Sequence, residues 1–150
     1  MEIEQELTVS SEEFFDFLYR SIKMDIKEST GKNLEVEEIT EGMTYSKKID
    51  TKIGRKGGAT VTLSTIQPYE KYQASFASSQ GENITSYEIE ELADNEIIVI
   101  YREDFIGSSW LKNMNFKLMN LFYKKSAQKQ ARDRLKQIEK YIKNQRKNTD

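Results

Sequence analysis

The stretch EIIVIYREDFIGSSWLKNMNFKLMNLFYKKSAQKQARDRLKQIEKYIK, residues 96–143, changes its period midway and so decides the fold. Up to Phe105 the residues alternate. Ile97, Val99, Tyr101, Glu103 and Phe105 share one face, as in a strand with one side on a core. Gly107-Ser108-Ser109 interrupts the alternation, and after Ser109 neither glycine nor proline occurs again. A helix is therefore predicted from Trp110 to about Lys147, roughly 38 residues and 55 Å at 1.5 Å per residue. In its first half Leu111, Met114, Phe116, Leu118, Met119, Leu121, Phe122 and Tyr123 point nearly all round. In the second half Ala131, Leu135, Ile138 and Ile142 make one narrow stripe. The first half is expected to be the part that a sheet grips, with a kink or break near residues 124–127 and a frayed tail after about residue 145.

Working back toward the N-terminus, the same alternation recurs. Ile3, Leu7 and Val9, with Gln5 between them, oppose Glu2, Glu4, Glu6 and Thr8, which predicts a first strand. Ser10 followed by Glu13 is a capping box. Phe14, Leu18, Ile22 and Ile26 then recur every fourth position, so a helical region, in one piece or two, runs to Ser29-Thr30-Gly31. From Leu34 the period returns to two. Met43, Tyr45, Lys47 and Ile49 share one strand face, and residues 54–58 (GRKGG) read as a hairpin turn. Ala59, Val61, Leu63 and Thr65 share the next face. Pro68, the single proline, marks a connection with Tyr69 and Glu70. Tyr72, Ala74, Phe76 and Ser78 follow, then a turn at Gly81-Glu82-Asn83 and a strand carrying Thr85, Tyr87 and Ile89. Turn signals every eight to twelve residues suit an antiparallel meander.

The order of one strand, one or two short helices, a meander and a long C-terminal helix resembles the helix-grip architecture of the START/Bet v 1-like (SRPBCC) superfamily. The chain also looks like the small bacterial members of that superfamily classed as domains of unknown function. The resemblance implies an α+β fold: a curved antiparallel sheet of about six to seven strands wrapped on the helix, with a cavity between them, in one domain spanning residues 1–150. Members include lipid and hormone carriers, polyketide cyclases, toxin-like proteins and chaperone activators, so the fold leaves the function open.

Composition narrows the chemistry. The sequence holds neither cysteine nor histidine, which excludes disulfides, thiolate metal sites, a cysteine nucleophile and a Ser-His-Asp arrangement. No cofactor is expected. Glu88, Glu90 and Glu91, or Glu35, Glu37 and Glu38, lack the spacing of a calcium loop and read as solvated edges. The segment GRKGG lacks the Ser or Thr that follows the lysine of a P-loop. The acidic, alternating start is unlike a signal peptide, and no run approaches the roughly 20 apolar residues of a membrane span, so a cytoplasmic protein is expected.

On the predicted inner face, Tyr45, Lys47, Leu63, Thr65, Tyr72, Phe76, Tyr87, Val99, Tyr101, Glu103 and Leu118 would line a ligand cavity, tyrosines orienting the ligand and apolar side chains forming its walls. Lys47 and Glu103, if both face inward, should pair with each other or meet a ligand, because either charge buried alone is costly. A second expectation comes from charge. Residues 1–110 carry 11 basic and 22 acidic side chains, whereas residues 111–150 carry 12 basic and 3 acidic. Lys125, Lys129, Arg132, Lys136, Lys140, Lys143 and Lys147 advance by threes and fours into one basic stripe. It would dock an acidic protein partner or an anionic surface, or simply complement the acidic body of its own domain. Nucleic acid is disfavoured by that acidic body. Binding of a small hydrophobic or amphipathic molecule is the leading expectation, a partner-docking module the alternative, and a cyclase or lyase using Glu103 or a tyrosine the third.

Overall fold

Local chemistry sets the first helix as its sequence requires. In the computed structural model, which describes residues 1–50, 56–107 and 116–149 (of residues 49, 50, 56, 116–123 and 149 the backbone alone), Ser10 accepts from the Glu13 amide at 3.1 Å. The Glu13 carboxylate accepts from the Ser10 amide at 3.0 Å, completing the capping box. Helix α1 (Ser11–Thr30) follows the first strand, β1 (Glu2–Leu7), and runs in one piece rather than two. It ends where Gly31 takes a left-handed conformation, φ 77°, that a Cβ would disfavour. A short 3₁₀ turn (Val36–Glu38) stands where alternation had suggested strand.

The meander is then β2 (Thr44–Asp50), β3 (Lys56–Gln67), β4 (Lys71–Ser78), β5 (Gly81–Ala93) and β6 (Glu96–Gly107). With β1 it forms one six-stranded antiparallel sheet in the order β1-β6-β5-β4-β3-β2. Lys56, Gly57 and Gly58 belong to the β2–β3 ladder, not to a turn, and the rest of the expected turn lies in residues 51–55, outside the described residues. Pro68 does sit in the β3–β4 connection, where the Glu70 amide donates to the Gln67 carbonyl at 3.0 Å and Tyr69 takes φ 68°. Asn83 lies inside β5; the β4–β5 reversal comes earlier, at Gly81, whose φ is 142° and where a Cβ would run into the Ile106 carbonyl.

Helix α2 (Phe116–Thr149) is uninterrupted, so the break expected near residues 124–127 is absent, and the tail expected after residue 145 is helical to Thr149. Arg146 anchors that end: its guanidinium makes a two-pronged ion pair with Glu13, Nε to Oε2 at 2.5 Å. The narrow stripe Ala131, Leu135, Ile138 and Ile142 is buried against Ile3, Leu7, Val9, Phe14, Ile97 and Val99. The second half of α2 therefore joins the core, against β1 and α1, while the side chains of the first half, to which the grip of the sheet was assigned, lie outside the described residues. Four apolar residues at helical spacing suffice because one wall of a packed core is only one residue deep. A second cluster joins Ile22 and Ile26 of α1 to Ile39, Val61, Leu63 and Ala74. Among the described residues, no helix is long and apolar enough to cross a membrane.

Candidate functional site

Strand register decides which side chains meet on the concave face. Ile3 pairs with Tyr101, Tyr101 with Tyr87, Tyr87 with Tyr72, and Tyr72 with Ile66, so three tyrosines stand side by side across β6, β5 and β4. Their ring centroids are 5.0 Å apart for Tyr87–Tyr101 and 6.2 Å for Tyr72–Tyr87, and Phe14 of α1 approaches Tyr87 at 5.9 Å. One pleat along, Glu103 pairs with Thr85 and Thr85 with Ala74; one further, Phe105, Asn83, Phe76, Val61 and Tyr45 form a third row.

The expected lining residues divide along this grid. Leu63 and Val99 are sealed in the two core clusters, and Tyr101 at 2 % and Tyr87 at 9 % exposure are nearly so. Tyr45, Lys47, Tyr72, Phe76 and Glu103 are half-buried on the concave face. Thr65 is not there. Thr62 pairs with Ser75 but Thr65 with Gln73, so β3 carries one residue too many between them. This bulge reverses the alternation, turns Thr65 to the convex side with Gln73, and brings Ile66 inward instead. The Leu118 side chain lies outside the described residues.

The inward charges find other partners than each other. Asp25, on the border of the apolar stripe of α1, accepts from Lys47 Nζ at 2.6 Å and from the Tyr45 hydroxyl at 2.5 Å. Glu103 accepts from the Tyr101 hydroxyl at 2.8 Å and from Asn83 Nδ2 at 3.4 Å. The expected Lys47–Glu103 pair is thus replaced by two separate polar clusters. Asn83 Oδ1, on the far side of that amide, is buried and has no hydrogen-bond partner among the described residues. Because a carboxylate only accepts, Asn83 must turn its NH₂ to Glu103, and this leaves its carbonyl oxygen facing away. Arg134 of α2 lies over the Tyr101 ring, 5.8 Å from its centroid.

Burial pushes the Tyr72, Tyr87 and Tyr101 hydroxyls above the usual phenol range, with neighbouring tyrosines or Glu103 adding to it. Burial, then the bond to Asp25, does the same for Tyr45. All four stay protonated at physiological pH, and Tyr45 and Tyr101 donate their hydrogen bonds to Asp25 and Glu103. Reading the sequence alone missed Asn83, assigned to a turn, together with Asp25 and Arg134. The alternation Asn83, Thr85, Tyr87 and the place of Asp25 between Ile22 and Ile26 were the available signals.

The basic stripe is exposed at Lys125, Lys129, Arg132, Lys136 and Lys140 and half-buried at Lys143. Lys136 and Lys143 approach Glu139 at 3.5 and 3.9 Å. Glu139 also accepts from the Thr8 amide at 2.6 Å, joining α2 to the end of β1. Burial alone would raise the Glu139 carboxyl, but the Thr8 amide and the two lysines outweigh it and hold it low. A shallow surface cleft of about 210 Å³ lies between the two helices, bordered by Asp16, Phe17, Arg20 and Tyr141.

A six-stranded antiparallel sheet with a long C-terminal helix and a helix after the first strand defines the Bet v 1-like, helix-grip class of fold. Within it, residues 1–124 match the family described as Domain of unknown function (DUF3284), and the chain belongs to that family. Solved structures agree with the class. Ara h 8.0201 is similar at 14 % identity and TM-score 0.58, with 95 % of each chain covered. A conserved protein from Geobacillus kaustophilus is similar at 16 % identity and TM-score 0.57, over 95 % of this chain and 94 % of that one. A protein from Arthrobacter aurescens matches at 12 % identity and TM-score 0.58, over 95 % and 85 %. Identities this low speak for the fold alone. No protein of curated function matches the chain.

Proposed function

We propose that this protein binds a small apolar or amphipathic molecule over the half-buried part of the concave face, as a non-enzymatic member of the wider START/Bet v 1-like (SRPBCC) superfamily. The row Tyr101–Tyr87–Tyr72 carries the reading. Three adjacent strands place an aromatic, hydroxyl-bearing side chain at one level, with Phe76 and Tyr45 two pleats away, and Tyr72, Phe76 and Tyr45 are only half-buried. An apolar aromatic wall with few polar groups is the usual make-up of a small-molecule site. A sheet that needed only to cover a helix would be served by aliphatic residues. The fluorescence of N-phenyl-1-naphthylamine should rise on mixing with the protein, and native mass spectrometry of gently purified material should find added mass. Absence of both signals would refute the reading.

A second reading has its own observation. Lys125, Lys129, Arg132 and Lys140 are exposed and form no ion pair among the described residues, whereas Lys136 and Lys143 serve Glu139. Docking of an acidic protein partner would fall to those four. Charge reversal at Lys125, Lys129 and Arg132 should then abolish its recovery, and unchanged recovery would count against this reading.

A further inference from the structure

At the polar end of the concave face the donors present, the Tyr101 hydroxyl and the Asn83 amide, both turn to Glu103. Glu103 presents two carboxylate oxygens, one taking the Tyr101 hydroxyl and the other the Asn83 amide. Asn83 Oδ1 lies beside them and, although buried, accepts from nothing among the described residues. A buried acceptor without a donor is costly, and natural structures rarely retain one without a use. The vacant acceptor lies between two aromatic neighbours in register, Phe76 on β4 and Phe105 on β6, and its own strand continues inward to Thr85 and Tyr87. From this arrangement we infer that the ligand's polar end carries a hydrogen-bond donor, a hydroxyl or an amine, which Asn83 Oδ1 accepts beside the Glu103 carboxylate.

The inference rests on the ligand-binding reading above and narrows its class. A carboxylate or phosphate headgroup is disfavoured, since it would bring a second anion to Glu103 and could not donate to Asn83. Arg134 is placed over the Tyr101 ring. An ether or ester headgroup accepts only, and would leave the carbonyl oxygen as it stands. An alcohol or amine supplies the missing donor while its chain runs along the aromatic row.

Displacement of bound N-phenyl-1-naphthylamine tests this with the full chain and three competitors of matched length: 1-decanol, decyl methyl ether and decanoate. Decanol should displace the probe at a concentration at least tenfold lower than the ether or the acid. In Asn83→Leu, which keeps the volume and removes the acceptor, the preference for decanol over the ether should shrink to within about twofold. Should that variant not fold, Glu103→Gln provides the second measurement, because one acceptor oxygen becomes a donor amide and the ether should gain on decanol. Equal displacement by all three competitors in the unaltered protein overturns the donor assignment while leaving the carrier reading intact. So does an unchanged preference in Asn83→Leu. A probe that never binds overturns both.

Discussion

Replacing Glu13 by glutamine removes the charge and one of the two acceptors of the Arg146 fork, while leaving an oxygen that can still accept from the Ser10 amide in a capping box. The Glu13 carboxyl sits at about 2 rather than 4.5; the hydrogen bonds from Arg146 are the main cause, opposed by burial and helped by the Ser10 amide and hydroxyl. At 1.36 kcal/mol per pH unit, that displacement corresponds to at most about 3.4 kcal/mol. Glu13 is 28 % exposed and Arg146 38 %, so solvent screening removes roughly half or more. Glu13→Gln should therefore cost about 1–2 kcal/mol at pH 7, read from urea unfolding followed by circular dichroism. The pH dependence has a definite sign. A carboxyl lowered in the folded state stabilises it above the unfolded value of 4.5, and the contribution fades as pH falls from 4.5 toward 2. The gap between wild type and variant should be less than half as large at pH 3. A double-mutant cycle with Arg146→Leu should return most of the loss as coupling. A gap of equal size at pH 7 and pH 3, or a coupling below about 0.3 kcal/mol, would refute the clamp.

Asp25→Ala should destabilise by about 1–3 kcal/mol, more than Lys47→Met, since it strands both the Lys47 ammonium and the Tyr45 hydroxyl; equal losses in the two variants would contradict this. Tyr69 combines φ 68° with an edge contact to Phe15 at 5.9 Å, so Tyr69→Gly should be more stable than Tyr69→Ala by about 1 kcal/mol in thermal unfolding, both having lost the ring. Spectrophotometric titration at 295 nm should find Tyr45, Tyr72, Tyr87 and Tyr101 un-ionised at pH 11 while the fold persists. Their burial favours the neutral phenol, so it supports folding fully below about pH 10 and less as pH rises beyond. Ionisation of all eight tyrosines before any loss of ellipticity would contradict the buried row.

What was legible in the sequence was what is encoded locally. The Ser10–Glu13 box spans three residues, and the stripe Phe14, Leu18, Ile22, Ile26 lies within one helix, so both could be read without knowing the partner surface. Alternation put Tyr45, Lys47, Tyr72, Phe76, Tyr87, Tyr101 and Glu103 on the concave face because the pleat has period two. It failed at Thr65, since a bulge is a property of two paired strands and leaves no mark on either alone. The Lys47 partner failed for a similar reason: Asp25 reaches it from α1, across an interface that no spacing encodes. In α2, the stripe from Ala131 to Ile142 was legible because its helical spacing lies within one element, and it is buried.

The seam between α2 and the start of the chain has a consequence for when this protein can become a protein at all. Glu139 reaches Thr8 across 131 residues and Arg146 reaches Glu13 across 133, while Leu135 and Ile138 fill the same core as Ile3 and Leu7. At about 5–20 residues per second, on the order of ten seconds of synthesis separate the two sides of this seam. Throughout that interval β1 and the apolar face of α1 are already made but have no α2 to rest on. The five acidic side chains among residues 2–13, Glu2, Glu4, Glu6, Glu12 and Glu13, fall on exposed or half-buried positions flanking that waiting surface. Charge of one sign along an exposed strand opposes edge-to-edge pairing of two copies.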